Sequence, residues 1–398
     1  MRLLVVMTNY PFPPRTGSAI VAYNSMKCLS NRHRIDLICL QPLDEIAETA
    51  EFIERVELLH QKKKSKLTKW LYYLFKMLKG EPPSVSAFAS RAMTKRVRDE
   101  IQSVEYDAIL LFEMNAIQFC PSSSFHKLFV NIEDPQSIKL NRMAELSIWS
   151  LWQRVKLLTQ ARITAFYESR ILHGVAKVFL LSEADIRDMQ KQGAYRNLAY
   201  VPYGVDQRSS AAIPTYENRE KTIVFSGNMF HPPNVDGGLF LLKDIFPMIL
   251  GECPSAVLWI VGANPDVRIH EAAAEFGKQV VITGRVDDVA EYIKRAAVSI
   301  CPVRLKIGVQ TKILEALSWG TPVVTTSAGN SGIGGVSGAH LWVEDRPDLL
   351  AKRVCDLLRG RDWKKISEGG RGLAAERFTW EGGVAQLEQH LETLVATC

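Results

Sequence analysis

Short apolar runs recur along this chain, separated by stretches whose apolar positions fall three and four apart. In the first half Leu3–Met7, Ile35–Leu40, Ala108–Phe112, Leu128–Ile132, Val178–Leu181 and Ala199–Val201 are apolar at nearly every position. Thr222–Phe225, Ala256–Val261, Gln279–Ile282, Val298–Cys301 and Pro322–Thr325 repeat the pattern in the second half. A strand with one wet face alternates polar and apolar residues, whereas a strand apolar throughout is covered on both faces. Helical patterns between such strands imply βαβ units and parallel sheets. The polar stretch from Asp206 to Lys221 carries Pro214 and no periodicity, and the alternation restarts after it. The pattern predicts an α/β protein of two doubly wound, Rossmann-like domains, residues 1–205 and 206–379. A closing helix is predicted over Trp380–Val395, with Val384, Leu387, Leu391 and Leu394 on one stripe. Residues 380–398 are expected to pack back toward the first domain.

Composition narrows the class. With 398 residues, 47% hydrophobic and 23% charged, the chain has the apolar surface to fold without staples, which excludes a mainly disordered state. Its seven cysteines are scattered and never form C-x-x-C, which fits a reducing cytoplasm. No run approaches the ~18 apolar residues of a membrane-spanning helix, and Leu3–Met7 is too short for a signal-peptide core. A cytoplasmic protein is expected.

The net charge of +6 is unevenly spread. Residues 1–205 carry 28 basic and 20 acidic side chains, and the remainder 21 and 23. A basic half suits an anionic partner, and ordinary surface variation is the alternative. From His60 to Gly80 there are seven lysines and no acidic residue. On a helix Leu67, Trp70, Leu71, Leu74, Phe75 and Leu78 share one face, with Lys62, Lys66, Lys69 and Lys76 largely opposite. Residues 62–78 thus suit a helix lying in a membrane interface, or a packed helix with a solvated lysine face.

Several chemistries have no motif here. The sequence lacks G-x-x-x-x-G-K-[ST], H-E-x-x-H, G-x-S-x-G and D-x-D, and its eight histidines show no metal-ligand spacing. No metal or cofactor is expected. The cluster Gly332-Ile333-Gly334-Gly335-Val336-Ser337-Gly338 follows a strand, but its third glycine comes one place late and no helical pattern resumes at once. It is read as a loop, not as a dinucleotide cradle.

The stretch from Cys301 to Val324 is more informative. A strand ends at Cys301, a loop carries Arg304 and Gly308, and a helix runs from near Val309 to Gly320 before the next strand. The helix N-terminus therefore lies at the carboxyl edge of the sheet, where open α/β folds bind ligands. Its free N–H groups favour phosphate. Lys312 and Glu315 are three apart and share a face. They suit a diphosphate and sugar hydroxyls respectively, or an ion pair on an exposed turn.

This stretch resembles the donor-site signature of family-4, or group 1, glycosyltransferases of the GT-B fold. Other segments agree in order: Asn9–Ser18, Leu181–Asp185, Val201–Asp206, Phe225–Met229 and Thr283–Val286. The resemblance spans nearly the whole chain and is greatest to sugar transferases of bacterial exopolysaccharide clusters. Two positions depart from the family. An acidic residue eight positions before Glu315 is replaced by Ile307, and a basic residue after Gly227 by Asn228.

The resemblance implies two domains facing a cleft and a retaining transfer of a hexosyl group from a UDP- or GDP-sugar. The acceptor would be a saccharide or lipid-linked saccharide, with no nucleic acid partner. Gly17, Gly227, Gly284, Arg285, Arg304, Gly308, Lys312 and Glu315 are the expected donor-binding residues. Glu133 and Asp134, after the strand Leu128–Ile132, would position the reacting sugar or acceptor. Asp134 precedes Pro135 and equally suits a turn, and Glu113 occupies a similar place after Ala108–Phe112. Lys312 would stabilise the departing diphosphate. A sugar-nucleotide epimerase on the same fold and a non-catalytic nucleotide-sugar-binding scaffold are the alternatives.

Overall fold

The computed structural model describes all residues except 15, 42–49, 61–71, 74, 78, 194, 210–212 and 397–398. The chain divides into two compact units. The first comprises Met1–Asn141, Val155–Gly204 and Trp380–Cys398, and the second Arg142–Arg154 and Val205–Thr379.

The first unit is built on a parallel sheet. Its strands are β1 (Arg2–Met7), β2 (Arg34–Gln41), β3 (Arg55–His60), β4 (Ala108–Leu111), β5 (Leu128–Ile132), β6 (Lys177–Leu180) and β7 (Leu198–Tyr200). They lie in the order β3-β2-β1-β4-β5-β6-β7. Chain order reverses between β1 and β4, so loops at their carboxyl ends diverge and leave a crevice. Around the sheet lie α1 (Gly17–Leu29), α2 (Arg91–Ser103), α3 (Gln136–Met143), α4 (Leu151–Leu172) and α5 (Glu183–Gln192), α3 belonging to this unit up to Asn141 and α4 from Val155 onward. Thr16, Ser90 and Ser182 cap α1, α2 and α5 with their hydroxyls.

The second unit repeats the plan. Strands β8 (Glu220–Ser226), β9 (Val257–Val261), β10 (Val280–Gly284), β11 (Ala296–Cys301), β12 (Val323–Thr325) and β13 (Trp342–Val343) run parallel in the order β10-β9-β8-β11-β12-β13. The reversal here falls between β8 and β11. Its helices include α6 (Pro232–Phe240), α7 (Thr311–Ser318), α8 (Pro347–Leu358) and α9 (Trp363–Arg377). The closing helix, α10 (Trp380–Val395), belongs to the first unit and lies against α1. There Glu388 accepts from His33 at 2.8 Å.

The apolar runs are strands for the expected reason: Leu3–Met7, Ile109–Leu111 and Val298–Cys301 are almost wholly buried. Each unit has its own large core, one around Val130 and Leu180, the other around Phe225 and Ile300. Two strands were not foreseen. β3 reads Arg-Val-Glu-Leu-Leu-His and lies half-buried at the sheet edge, so its charged residues mask the pattern. β13 is only two residues long.

Candidate functional site

Both units carry chemistry at the switch point of their sheet. In the second unit the site is built from the ends of β8 and β11. Strand β8 runs out at Gly227, whose φ of +147° suits glycine. A Cβ there would lie 2.8 Å from the Asn234 amide and 3.0 Å from Lys312 Nζ. The neighbouring β9 ends at Gly262, where a Cβ would lie 1.7 Å from the Gly227 carbonyl oxygen, so these strand ends meet backbone to backbone. Gly262 N–H in turn donates to the carbonyl of Gly284, at the end of β10.

Two residues of α6 aim the cations. Asp236, itself buried, accepts from Arg304 Nε at 2.9 Å and Nη2 at 2.6 Å, a bidentate pair that holds the guanidinium over the Phe240 ring. The Arg304 side chain remains 45% exposed, and its pairing with Asp236 pushes its pKa upward. Asn234 accepts a hydrogen bond from Lys312 Nζ and donates to the carbonyl of Asn228 at 2.9 Å. Lys312, on the first turn of α7, also lies 5.0 Å from the Phe225 ring. Burial lowers its pKa, and among the described residues no carboxylate pairs with it. The ion pair with Glu315 that the sequence leaves open is not formed.

Glu315, one turn further along α7, has its pKa raised by burial and by the charge of Asp288, with Arg208 opposing. No side chain among the described residues donates to its carboxylate, which stays available to hydroxyl donors. Gly308 has a φ of +50°, and its carbonyl oxygen would lie 2.3 Å from a Cβ at Gly332. The glycine cluster thus packs against the loop before α7, a contact the sequence pattern did not reveal. Arg285 is exposed at the end of β10, two strands from β8.

Ile307 has a plain structural setting. Together with Leu305 it packs on Leu146, with Met143, Ile148 and Trp149 around them, while Arg142 donates to the Lys306 carbonyl. The residue that replaces the family's first carboxylate is thus enclosed in an apolar cluster. That cluster is formed with residues 142–154, which the sequence reading placed in the first domain.

In the first unit, Gly17 opens α1 after β1, and Glu113 follows β4. Glu113 accepts from the Thr8 hydroxyl, from Asn9 Nδ2 at 3.3 Å and from Ser18 Oγ at 3.2 Å. It thereby ties the loop after β1 to the end of β4. Glu133 presses on Gly17: a Cβ there would lie 2.8 Å from Glu133 Oε1. That oxygen is buried without a hydrogen-bond partner among the described residues. Burial, reinforced by the charges of Asp134 and Glu113, pushes the Glu133 carboxyl up to about 7. Asp134 instead accepts from Lys139 at 2.8 Å, bracing the start of α3. Glu113, Glu133 and Asp134 line one cavity of about 160 Å³ with Ser18, Asn131 and Gln136.

Asn234 and Asp236 escaped the sequence reading. Their only signal is their place on the helix that follows Gly227, because their partners lie about seventy residues away. Among the described residues no group of three or more His, Cys, Asp or Glu is placed to hold a metal ion.

The family described as Glycosyl transferases group 1 matches residues 220–360, the span holding Gly227, Arg304, Lys312 and Glu315. The chain has the GT-B fold and is similar over its whole length to solved structures. Sucrose-phosphate synthase from Thermosynechococcus elongatus has a TM-score of 0.73 at 15% identity, with 100% of each chain covered. Anabaena HepE in complex with UDP and glucose has a TM-score of 0.66 at 16% identity, over 98% of this chain and 99% of that one. An uncharacterized 44.6 kDa protein in the cps region of Klebsiella pneumoniae is 21% identical over 95% of each chain.

Proposed function

We propose that this chain is a group 1 glycosyl transferase that moves a hexosyl group from a nucleotide-diphosphate sugar, a UDP- or GDP-sugar, to a saccharide or lipid-linked saccharide during surface or exopolysaccharide synthesis. The observation that carries this reading is the setting of Lys312. A desolvated ammonium held by the neutral Asn234 has no anionic partner among the described residues, and an arriving diphosphate supplies one. Arg304 and the first amides of α7 add to the same anion site. Gly227 and Gly308 let the donor approach the backbone, and Gly284 and Arg285 contribute from the end of β10.

Glu315 accepts hydrogen bonds from the ribose hydroxyls. As the sugar–phosphate bond breaks, charge builds on the leaving diphosphate, and Lys312 and Arg304 stabilise it without a metal ion. Transfer with retention lets that phosphate take the acceptor's proton. In the first unit, Glu133 and Asp134 position the reacting sugar or acceptor beside the glycine loop of Gly17. The proximity of a cps-region relative and a UDP-binding neighbour supports the pathway and the donor class. The reading places the enzyme in the cytoplasm with peripheral contact to the inner membrane face. The expected contact, residues 62–78, lies largely outside the described residues, with Tyr72, Tyr73 and residues 75–77 described.

Thermal stabilisation by a panel of nucleotide diphosphates tests the donor site. A ligand at a hundred times its Kd adds about 2.7 kcal/mol to stability. Wild type should gain this with one nucleotide class and Lys312→Ala should lose it while melting normally alone. Equal stabilisation of both proteins would refute the role of Lys312. Conversion of a donor sugar with no acceptor present would instead favour an epimerase.

A further inference from the structure

Helix α4 carries a surface that the transfer reaction does not use. Val155, Leu158, Arg162 and Phe166, all in the first unit, follow one another at helical spacing along a single stripe. All are exposed, Phe166 to 58%, Val155 to 46% and Leu158 to 42%. A stripe of this length is unusual on a face that meets only water. The exposed charges on this helix are all basic: Lys156, Arg162 and Arg170 stand in solvent, and the helix's one acidic residue, Glu168, is 2% exposed.

The stripe runs into a basic cavity of the first unit. Phe75, 53% exposed, lies under Lys79 at 4.4 Å, and a Cβ at Gly80 would touch the Phe166 ring at 3.0 Å. Beyond them opens a cavity of about 1070 Å³ lined by Arg91, Lys95, Arg98, Tyr167 and Arg170. Arg91, Lys95 and Arg98 lie on one face of α2 at spacings of four and three, all exposed, with no carboxylate partner among the described residues. The acidic residue of the lining, Glu81, is neutralised by Lys76 at 2.8 Å.

We propose that the exposed stripe of α4 and the cations of α2 form a docking surface for an anionic lipid bilayer. The apolar side chains enter the interface, and Arg91, Lys95 and Arg98 meet headgroup phosphates. Charge chooses this occupant: an apolar stripe alone suits a protein partner, but a stripe whose exposed charged neighbours on its own helix are cations suits a surface that is apolar within and anionic at its rim. The inference deepens the membrane part of the reading above and is independent of the nucleotide site.

Flotation of the full chain with vesicles tests it, using phosphatidylcholine alone and equal parts of phosphatidylcholine and phosphatidylglycerol. Wild type should float with the mixed vesicles, weakly with phosphatidylcholine, and less as salt rises. Val155→Ser with Leu158→Ser should cut binding to mixed vesicles by about tenfold or more, given the apolar area withdrawn. Lys95→Glu with Arg98→Glu should abolish the preference for the anionic lipid, since both substitutions replace a cation facing the headgroups with an anion. Each variant should keep the wild-type nucleotide-dependent melting shift, which shows the fold intact and separates this surface from the donor site. Unchanged flotation in both double variants would overturn the proposal. So would flotation that is indifferent to phosphatidylglycerol, or a concentration-dependent self-association of wild type lost in Val155→Ser with Leu158→Ser, which would assign the stripe to a second copy of the chain.

Discussion

At the scale of single residues, Glu133 makes the sharpest prediction. Its carboxyl sits at about 7 where an exposed glutamate sits near 4.5, because burial and two neighbouring carboxylates disfavour its charge. Below about pH 4.5 the group is protonated in both folded and unfolded chains, and its stabilising share is fully present. Between about 4.5 and 7 the unfolded chain ionises first, so stability falls, and above 7 the loss is complete. Glu133→Gln should flatten that decline, leaving the variant more stable than wild type at pH 8 by about 2 kcal/mol and similar at pH 4.5. Glu168 is raised to about 7 by its own burial and contributes a decline of the same sign, so the informative quantity is the difference between the two proteins. Denaturant unfolding across this range measures it; a constant difference at every pH would mean that the Glu133 carboxyl does not titrate in this window.

At the scale of elements, the loop between β11 and α7 is held from two sides, by Gly332 against Gly308 and by residues 142–154 against Leu305 and Ile307. Restoring the carboxylate that related enzymes carry, by Ile307→Glu, puts a charge into that apolar cluster. It should destabilise the protein by about 2 kcal/mol or more, and it should weaken nucleotide-dependent stabilisation because the same loop carries Arg304. A melting temperature equal to that of wild type would show that the cluster opens freely. This element also marks how far the sequence could be read. The strands were legible because burial on both faces leaves near-continuous apolar runs, and Trp380–Val395 was legible from its stripe. Lys312, Glu315 and Arg304 stood out because phosphate chemistry concentrates at one strand–loop–helix junction. Asn234, Asp236 and the partners of Ile307 were not legible, because long-range contacts leave no local periodicity.

At the scale of the whole molecule, the course of the chain makes the first unit depend on its last helix. Strand β7 ends near Tyr200, yet α10 returns to the first unit after the second is complete. Trp380 packs on Tyr203 with ring centroids 5.0 Å apart and the planes tilted by 54°, and it fills the space over Gly204, where a Cβ would lie 2.3 Å from its ring. Leu387 and Leu391 are buried, and Gly383 approaches the Pro202 carbonyl too closely for a side chain. A chain ending at Thr379 would therefore uncover apolar surface on the first unit while leaving both faces of the second sheet as they are. Burying an apolar side chain contributes roughly 1.5–3 kcal/mol, so losing the contacts of Leu387, Leu391 and Trp380 removes a large part of a typical domain's stability. The truncated chain should melt in two steps, the lower one belonging to the first unit. The upper step should still rise with the nucleotide that stabilises wild type, because Lys312, Asn234, Arg304 and Asp236 all lie in the second unit. A single transition at the wild-type temperature would show that α10 is dispensable. Loss of the nucleotide response in the upper step would instead place part of the donor site in the first unit.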